Sequence, residues 1–344
     1  MRTAHALLVA ALLGIATTTL AQHTDPNVAR YADQNAALDY LREALFLTPE
    51  LKETISAGLE NITPGQSDGP DPKITIEQKQ TIVEQRDMIA RLREASLLPN
   101  CDWGVDQRDG PNTLLPHLSP HRFFVRLLHL DAIIRIDDGD IDGAVQNAAA
   151  IIRMANHMNG ADPYLISKLV AVVELKHAQR ILERIPTTQL TTDHRRVLKR
   201  GITLFPHTDP FQMRHTLVNE VAIISGWLRK QIAAKDGEEL RQFLREVALS
   251  SPDDTAGDDE HEAELPDKST VMSYLELYES LSHQIDTAWS SPDGKLDLMI
   301  LEREITRGSF GPIARILAPS ITRIHEQEQE HRELVKTIHD LISR

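Results

Sequence analysis

The sequence predicts an all-α protein, and three observations carry that prediction. Long runs mix Ala, Leu, Ile, Glu, Gln and Arg, most of which lose little side-chain freedom in a helix. Glycine contributes only 16 of 344 residues, and aromatic residues 4 %. Alternating β-branched runs closed by turn dipeptides, the pattern of half-buried strands and hairpins, are absent. The 41 % hydrophobic content is ample for a core and the 26 % charged content is ordinary for a globular chain. Composition excludes collagen, bulk disorder and a polytopic membrane protein, and a single cysteine excludes an intramolecular disulfide.

The elements follow in order. Residues 1–21 read as a secretory signal peptide: Arg2 gives a positive n-region, Ala6 to Ala16 an apolar run, and Thr19 and Ala21 small residues before a cleavage site. The run is shorter than the ~20 apolar residues that span a bilayer, so no stable span remains after signal removal. Residues 22–60 predict N-terminal helices, opened by Asp25-Pro26 and Thr48-Pro49, each an N-cap residue before a proline. A Pro-, Gly- and Asp-rich linker follows at 61–73.

The main helical domain spans 74–249. Thr75 and Gln78 form a capping box before a helix over 75–98, in which Ile76, Val83, Ala90 and Leu97, with Ile82 and Ile89 beside them, make a core-facing stripe. Ser119-Pro120, Asp162-Pro163 and Asp209-Pro210 open helices over 120–137, 163–184 and 210–232. Further helices fall over 142–158, 192–200 and 236–248. An acidic flexible linker at 250–268 carries too little apolar surface to offset its ordering entropy. C-terminal helices at 269–344 close the chain, the last interrupted near Pro319 and packed at its ends only, because 325–333 is polar on every side.

Charge narrows the partners. Thirty-seven basic against 51 acidic residues give a net charge of −14 and disfavour nucleic acid, whose binding needs cations to displace phosphate counterions. Arg195, Arg196, Lys199 and Arg200 make a local basic strip, read as cations complementing a helix C-terminus.

Candidate chemistry is sparse. Asp138, Asp140, Asp142 and Gly143 match the first half of a calcium loop, but the twelfth position is Ala149 rather than a bidentate Glu. The 15 histidines lack metal-ligand spacing and read as surface or capping residues; His117 and His121 are four apart, but a helix opening at Pro120 would keep them off one face. Nucleotide-loop and nucleophile-elbow motifs are absent, so neither a cofactor nor a metal site is assigned. A lone thiol, Cys101, opens the loop at 99–119. It reads as a small buried residue, with Trp103 packing the loop onto the helices and Gly104 turning the chain. The alternative is a hydrolase-like site at 99–121 using Cys101, Asp102, His117 or His121.

The turn between helices 120–137 and 142–158 resembles the hairpin of tetratricopeptide repeats. Gly139 ends the first helix, Ile141 sits in the turn, and Ala144 and Ala148, followed by Ile151, let the second helix pack closely. Only one such unit is evident, without a 34-residue period. The ordered set Cys101-Asp102-Trp103-Gly104, Leu114-Leu115-Pro116-His117-Leu118 and Gly139 to Ala144, continued by Arg153 to His157 and Leu165 to Val170, is similar to a family of signal-bearing helical proteins of planctomycete type. The resemblance covers about 74–248. It implies an exported, tetratricopeptide-like or α-solenoid-like array with a C-terminal helical extension, and carries over no catalytic residue. Gly143, where an acidic residue is commoner, and the 250–268 insert depart from the pattern. The expectation is an exported non-catalytic scaffold or adaptor in the cell envelope with a protein partner.

Overall fold

The computed structural model describes residues 34–58, 74–161, 163–249, 267–317 and 320–344. The leader, the Asp25-Pro26 start, the 61–73 linker and residues 250–266 of the acidic stretch lie outside the described residues. Regular structure among the described residues is helical, apart from one isolated parallel bridge between Asn35 and Asn100. No helix among them is long and apolar enough to cross a membrane.

The first four helices are α1 (Ala36–Ala44), α2 (Pro49–Gly58), α3 (Ile76–Glu84) and α4 (Arg86–Ala95). Three long ones follow: α5 (Leu118–Asp137), α6 (Ile141–Ala161) and α7 (Leu165–Arg184). Then come α8 (Thr192–Ile202), α9 (Met213–Ala234), α10 (Gly237–Leu249), α11 (Lys268–Trp289), α12 (Gly294–Arg307), α13 (Gly311–Leu317) and α14 (Ile321–Ser343). Short 3₁₀ turns cover Gln107–Asn112 and Thr187–Gln189.

Local chemistry explains most of these boundaries. The Thr75–Gln78 capping box forms, each partner accepting a hydrogen bond from the other's backbone N–H. Asp267 caps α11 by accepting from Thr270 N at 2.8 Å. Several boundaries differ from expectation: α7 begins at Leu165 rather than Pro163, and α9 at Met213 rather than Pro210. Helix α5 begins at Leu118, which puts Pro120 at its third position, inside the first turn, whose N–H groups have no partner within the helix and where a missing one costs nothing. The helix expected over 75–98 breaks at Gln85 (φ −88°, ψ 8°) into α3 and α4. The break resets the helical phase, so only the Ile82 and Ile89 part of the expected stripe is buried. Ile76 and Leu97 are 89 % and 64 % exposed, whereas Ile82, Met88, Ile89, Leu92 and Ala95 are buried.

Helix α5 lies at the centre, in contact with α1, α2, α3, α4, α6 and α7. From Phe124 to Ile134 every residue except Arg126 is buried, as a helix enclosed on most sides requires. The α5–α6 turn needs Gly139, whose φ of 80° disfavours a side chain. Ala144, Ala148, Ala149, Ala150 and Ala155 are fully buried on α6 and allow close packing with α5, α7 and α8. At Gly143 a Cβ would fall 2.4 Å from the Arg135 guanidinium, so the absent side chain leaves room for the Arg135–Asp140 ion pair.

A polar network ties this hairpin to α4. Buried Asp131 accepts from Arg135 at 2.6 Å, Asn147 at 2.8 Å and Arg86 at 3.3 Å. Arg93 donates to Asn147 and to the Gly143 carbonyl, each at 2.8 Å. The C-terminal helices join the same body, α11 packing on α9 and α14 on α7 and α8. The middle of α14 corrects the expectation of ends-only packing. Glu328 is 1 % and His331 4 % exposed. Trp289 Nε1–H donates to Glu328 at 3.0 Å, Arg332 pairs with it, and His331 stands edge-on to Phe211. Partners on other helices make polar burial affordable there.

Candidate functional site

The loop at 101–104 is fastened to the start of α1. Asn35 accepts from Asp102 N and donates to Asp102 O, each at 2.8 Å, and Ala36 N donates to Asn100 O at 2.8 Å. Asp102 itself is exposed, its carboxylate accepting from Gly104 N at 2.9 Å to close a turn in which Gly104 has φ 62°. Pro116, also exposed, directly precedes the α5 N-cap residue His117.

Trp103 wedges inward between two rings. It stacks on His117 (centroids 4.6 Å, 15°) and on Tyr40 (5.9 Å, 24°), with His121 edge-on at 5.8 Å. His117 and His121 therefore meet the same ring, contrary to the sequence expectation. With the helix starting at Leu118, His121 N bonds the His117 carbonyl at 3.1 Å, and the i, i+4 pair shares one face.

Beneath Trp103 lie two histidine pairs. His121 Nδ1–H donates to Glu174 of α7 at 2.7 Å, both fully buried. His157 Nε2–H donates to the Leu98 carbonyl at 2.9 Å, so its Nδ1 accepts from the Tyr40 hydroxyl at 3.0 Å. Burial lowers His157 to about 4 and raises the Tyr40 phenol well above its usual value, and the Glu174 charge pushes Tyr40 the same way. Trp103 Nε1, His121 Nε2 and Glu174 Oε2 are buried without a hydrogen-bond partner among the described residues.

The surroundings of Cys101 bear directly on nucleophilic chemistry. The thiol is half-buried, and desolvation first, then the Glu174 and Asp102 charges, push it far up. A nucleophilic cysteine needs the opposite, an electropositive setting that yields thiolate. Asp102 turns to solvent while His117 is buried.

Metal chemistry finds no cluster either. No group of three or more His, Cys, Asp or Glu among the described residues could hold an ion. The calcium-loop carboxylates diverge: Asp138 pairs with Lys79 of α3 at 2.6 Å, Asp140 with Arg135 of α5, and Asp142 with His194 of α8. The reading of the histidines as surface or capping residues is corrected for His117, His121, His129, His157, His194 and His331, which are all buried, although His194 also caps α8. Of the basic strip, Arg195 donates to the Ile342 carbonyl of α14 at 2.6 Å and Arg196 pairs with Asp193.

An open site lies elsewhere. Leu165, Ile166 and Leu169 of α7 face Leu217, Val221 and Ile224 of α9 across a groove of about 290 Å³, with Glu220 of α9 and Tyr278 of α11 as its polar members. The Tyr278 hydroxyl is buried without a hydrogen-bond partner among the described residues, and burial raises it, with the Glu220 charge adding to the effect. Leu165, Ile166 and Leu169 fall within the Leu165 to Val170 run singled out in the sequence, whereas the groove residues of α9 and α11 carried no motif. The apolar spacing of these residues is that of any core face. Comparison of the chain with family models, with curated proteins and with solved structures gave no match.

Proposed function

We propose that the protein is an exported, non-catalytic helical scaffold that binds a protein segment in the groove between α7, α9 and α11, with the tetratricopeptide-like α5–α6 hairpin as its central unit. The groove is the observation that carries this reading. It offers apolar walls, a half-exposed Ile166, and a buried hydroxyl able to meet a backbone N–H or C=O of an incoming chain. The filled Trp103 cluster adds support, since aromatic stacking occupies the space a substrate would need. The raised Cys101 thiol weighs against the hydrolase reading.

A photo-crosslinking residue at Ile166 in cells of the native host tests the groove. The expected result is one discrete protein adduct, lost when Leu169→Asp is added. No adduct from Ile166 or from Ile224, with the protein folded and at normal abundance, overturns the proposal, as does any turnover abolished by a single polar substitution. Export predicts a mature N-terminus at Gln22, read by mass spectrometry of the envelope fraction.

A further inference from the structure

We propose that the trough between α11 and α12 is a second site, separate from the groove, which binds a linear aliphatic polyamine with one terminal ammonium at each end. The trough encloses about 560 Å³, within the range of small-molecule sites, and shares no lining residue with the groove. Helices α11 and α12, joined through the short turn at 290–293, form its walls. Its floor is apolar, made by Ala288 and by Leu301 and Phe310, both buried.

The charge in the trough has one sign and two places. Asp297 and Glu304 line it, and among the described residues no Lys or Arg does. Being seven residues apart on α12, the two carboxylates share one helix face and stand two turns apart, about 10.5 Å along the axis. Ile300 and Leu301 lie between them on that face, and Ile300 is 51 % exposed. Such a spacing is too wide for one ammonium or one metal ion. It suits a chain of methylenes that covers the aliphatic stretch and carries a charge at either end.

Both carboxylates can accept further hydrogen bonds. Asp297 is half-buried and forms no ion pair or side-chain hydrogen bond with a described residue. Glu304 accepts from the Ser309 hydroxyl at 2.7 Å and from Arg307 at 3.1 Å, and these bonds, Ser309 first, hold its carboxyl below the usual range. A carboxylate offers about four acceptor positions, so Glu304 keeps room for an ammonium beside them. Its partner Arg307 is mostly exposed, and a surface pair of that kind yields at little cost. On the α11 wall the side chains of His283 and Gln284 bond to no described residue, and Gln284 adds a neutral acceptor. An anion would meet no cation here, and an uncharged chain would leave Asp297 without a partner. The net charge of −14 draws a polycation from a distance.

Calorimetric titration of the full protein with spermidine tests this, against magnesium chloride at matched ionic strength. The expected result is saturable one-to-one binding of spermidine alone, weakened about tenfold or more in Asp297→Asn and in Glu304→Gln. N8-acetylspermidine, which keeps the chain but loses one terminal charge, should bind about tenfold more weakly as well. Circular dichroism shows whether each variant is folded, and Asp297→Asn removes no contact within the protein. Equal heat from magnesium, folded variants that bind like the parent, or acetylated and free spermidine of equal affinity each overturn the proposal.

Discussion

The middle of α7 and its first turn face different neighbours. In the middle, Glu174 and His177 meet histidines of α5, and Ala171, Leu175 and Ala178 are fully buried, so that little space remains. At the first turn, Leu165, Ile166 and Leu169 stand across from α9 and α11 with about 290 Å³ between them. The closed side uses small residues and buried polar pairs to bring helices close, whereas the open side lines its space with large aliphatic residues. One helix thus serves as a structural anchor and as the wall of a site. The contrast predicts that substitutions on the closed side act on stability and those on the open side on binding.

The largest effect is expected at the network beside the closed side. Asp131→Ala leaves Arg86 and Arg135 without their shared buried acceptor and should cost about 3–5 kcal/mol in urea unfolding. A loss below about 1 kcal/mol would mean that the hairpin is not held to α4 by this network. Trp103→Ala removes the ring wedged between Tyr40 and His117, with an expected loss of about 3 kcal/mol. A large loss of binding with unchanged stability in that variant would instead move the functional site to the loop.

Acid should weaken the closed side next. His157 is held neutral, its pKa lowered from 6.5 to about 4, while the unfolded chain takes up its proton near 6.5. The unfolded state then binds more protons, so stability is full above pH 6.5 and falls as the pH drops towards 4. Between pH 7 and pH 5 this histidine accounts for about 2 kcal/mol of lost stability, and His331, also lowered to about 4, gives the same sign in α14. His157→Phe should flatten the pH profile, and an unchanged slope would exclude this group as its origin. The smallest stability change belongs to the open side: Ile166→Asp, at a residue 47 % exposed, should stay within about 0.5 kcal/mol while removing the crosslinked partner.

The helical class and several boundaries were legible because capping is local. Thr75, Gln78, Thr48 and Pro49 announce their ends within four residues. The break at Gln85 was not legible, since no proline or glycine marks it and the heptad-like spacing runs through it. Six buried histidines were missed for a related reason. Each is buried against groups distant in the chain, as with Glu174 for His121 and Asp142 for His194, and spacing along the sequence carries no trace of such neighbours. Trp103 was legible as an anchor, but its stacking partners Tyr40 and His117 lie 63 residues before it and 14 after it, and only packing brings the three together.

The sequence by itself determined that the chain is helical, where most helices begin, and that the α5–α6 turn needs a residue free to adopt positive φ. These follow from interactions within a few residues, which any window of the chain contains. Tertiary structure alone decided which polar side chains are buried, which carboxylates meet arginine rather than each other, and where a groove stays open. Those outcomes depend on how whole helices fill space against one another, and a gap between two helices belongs to neither sequence segment.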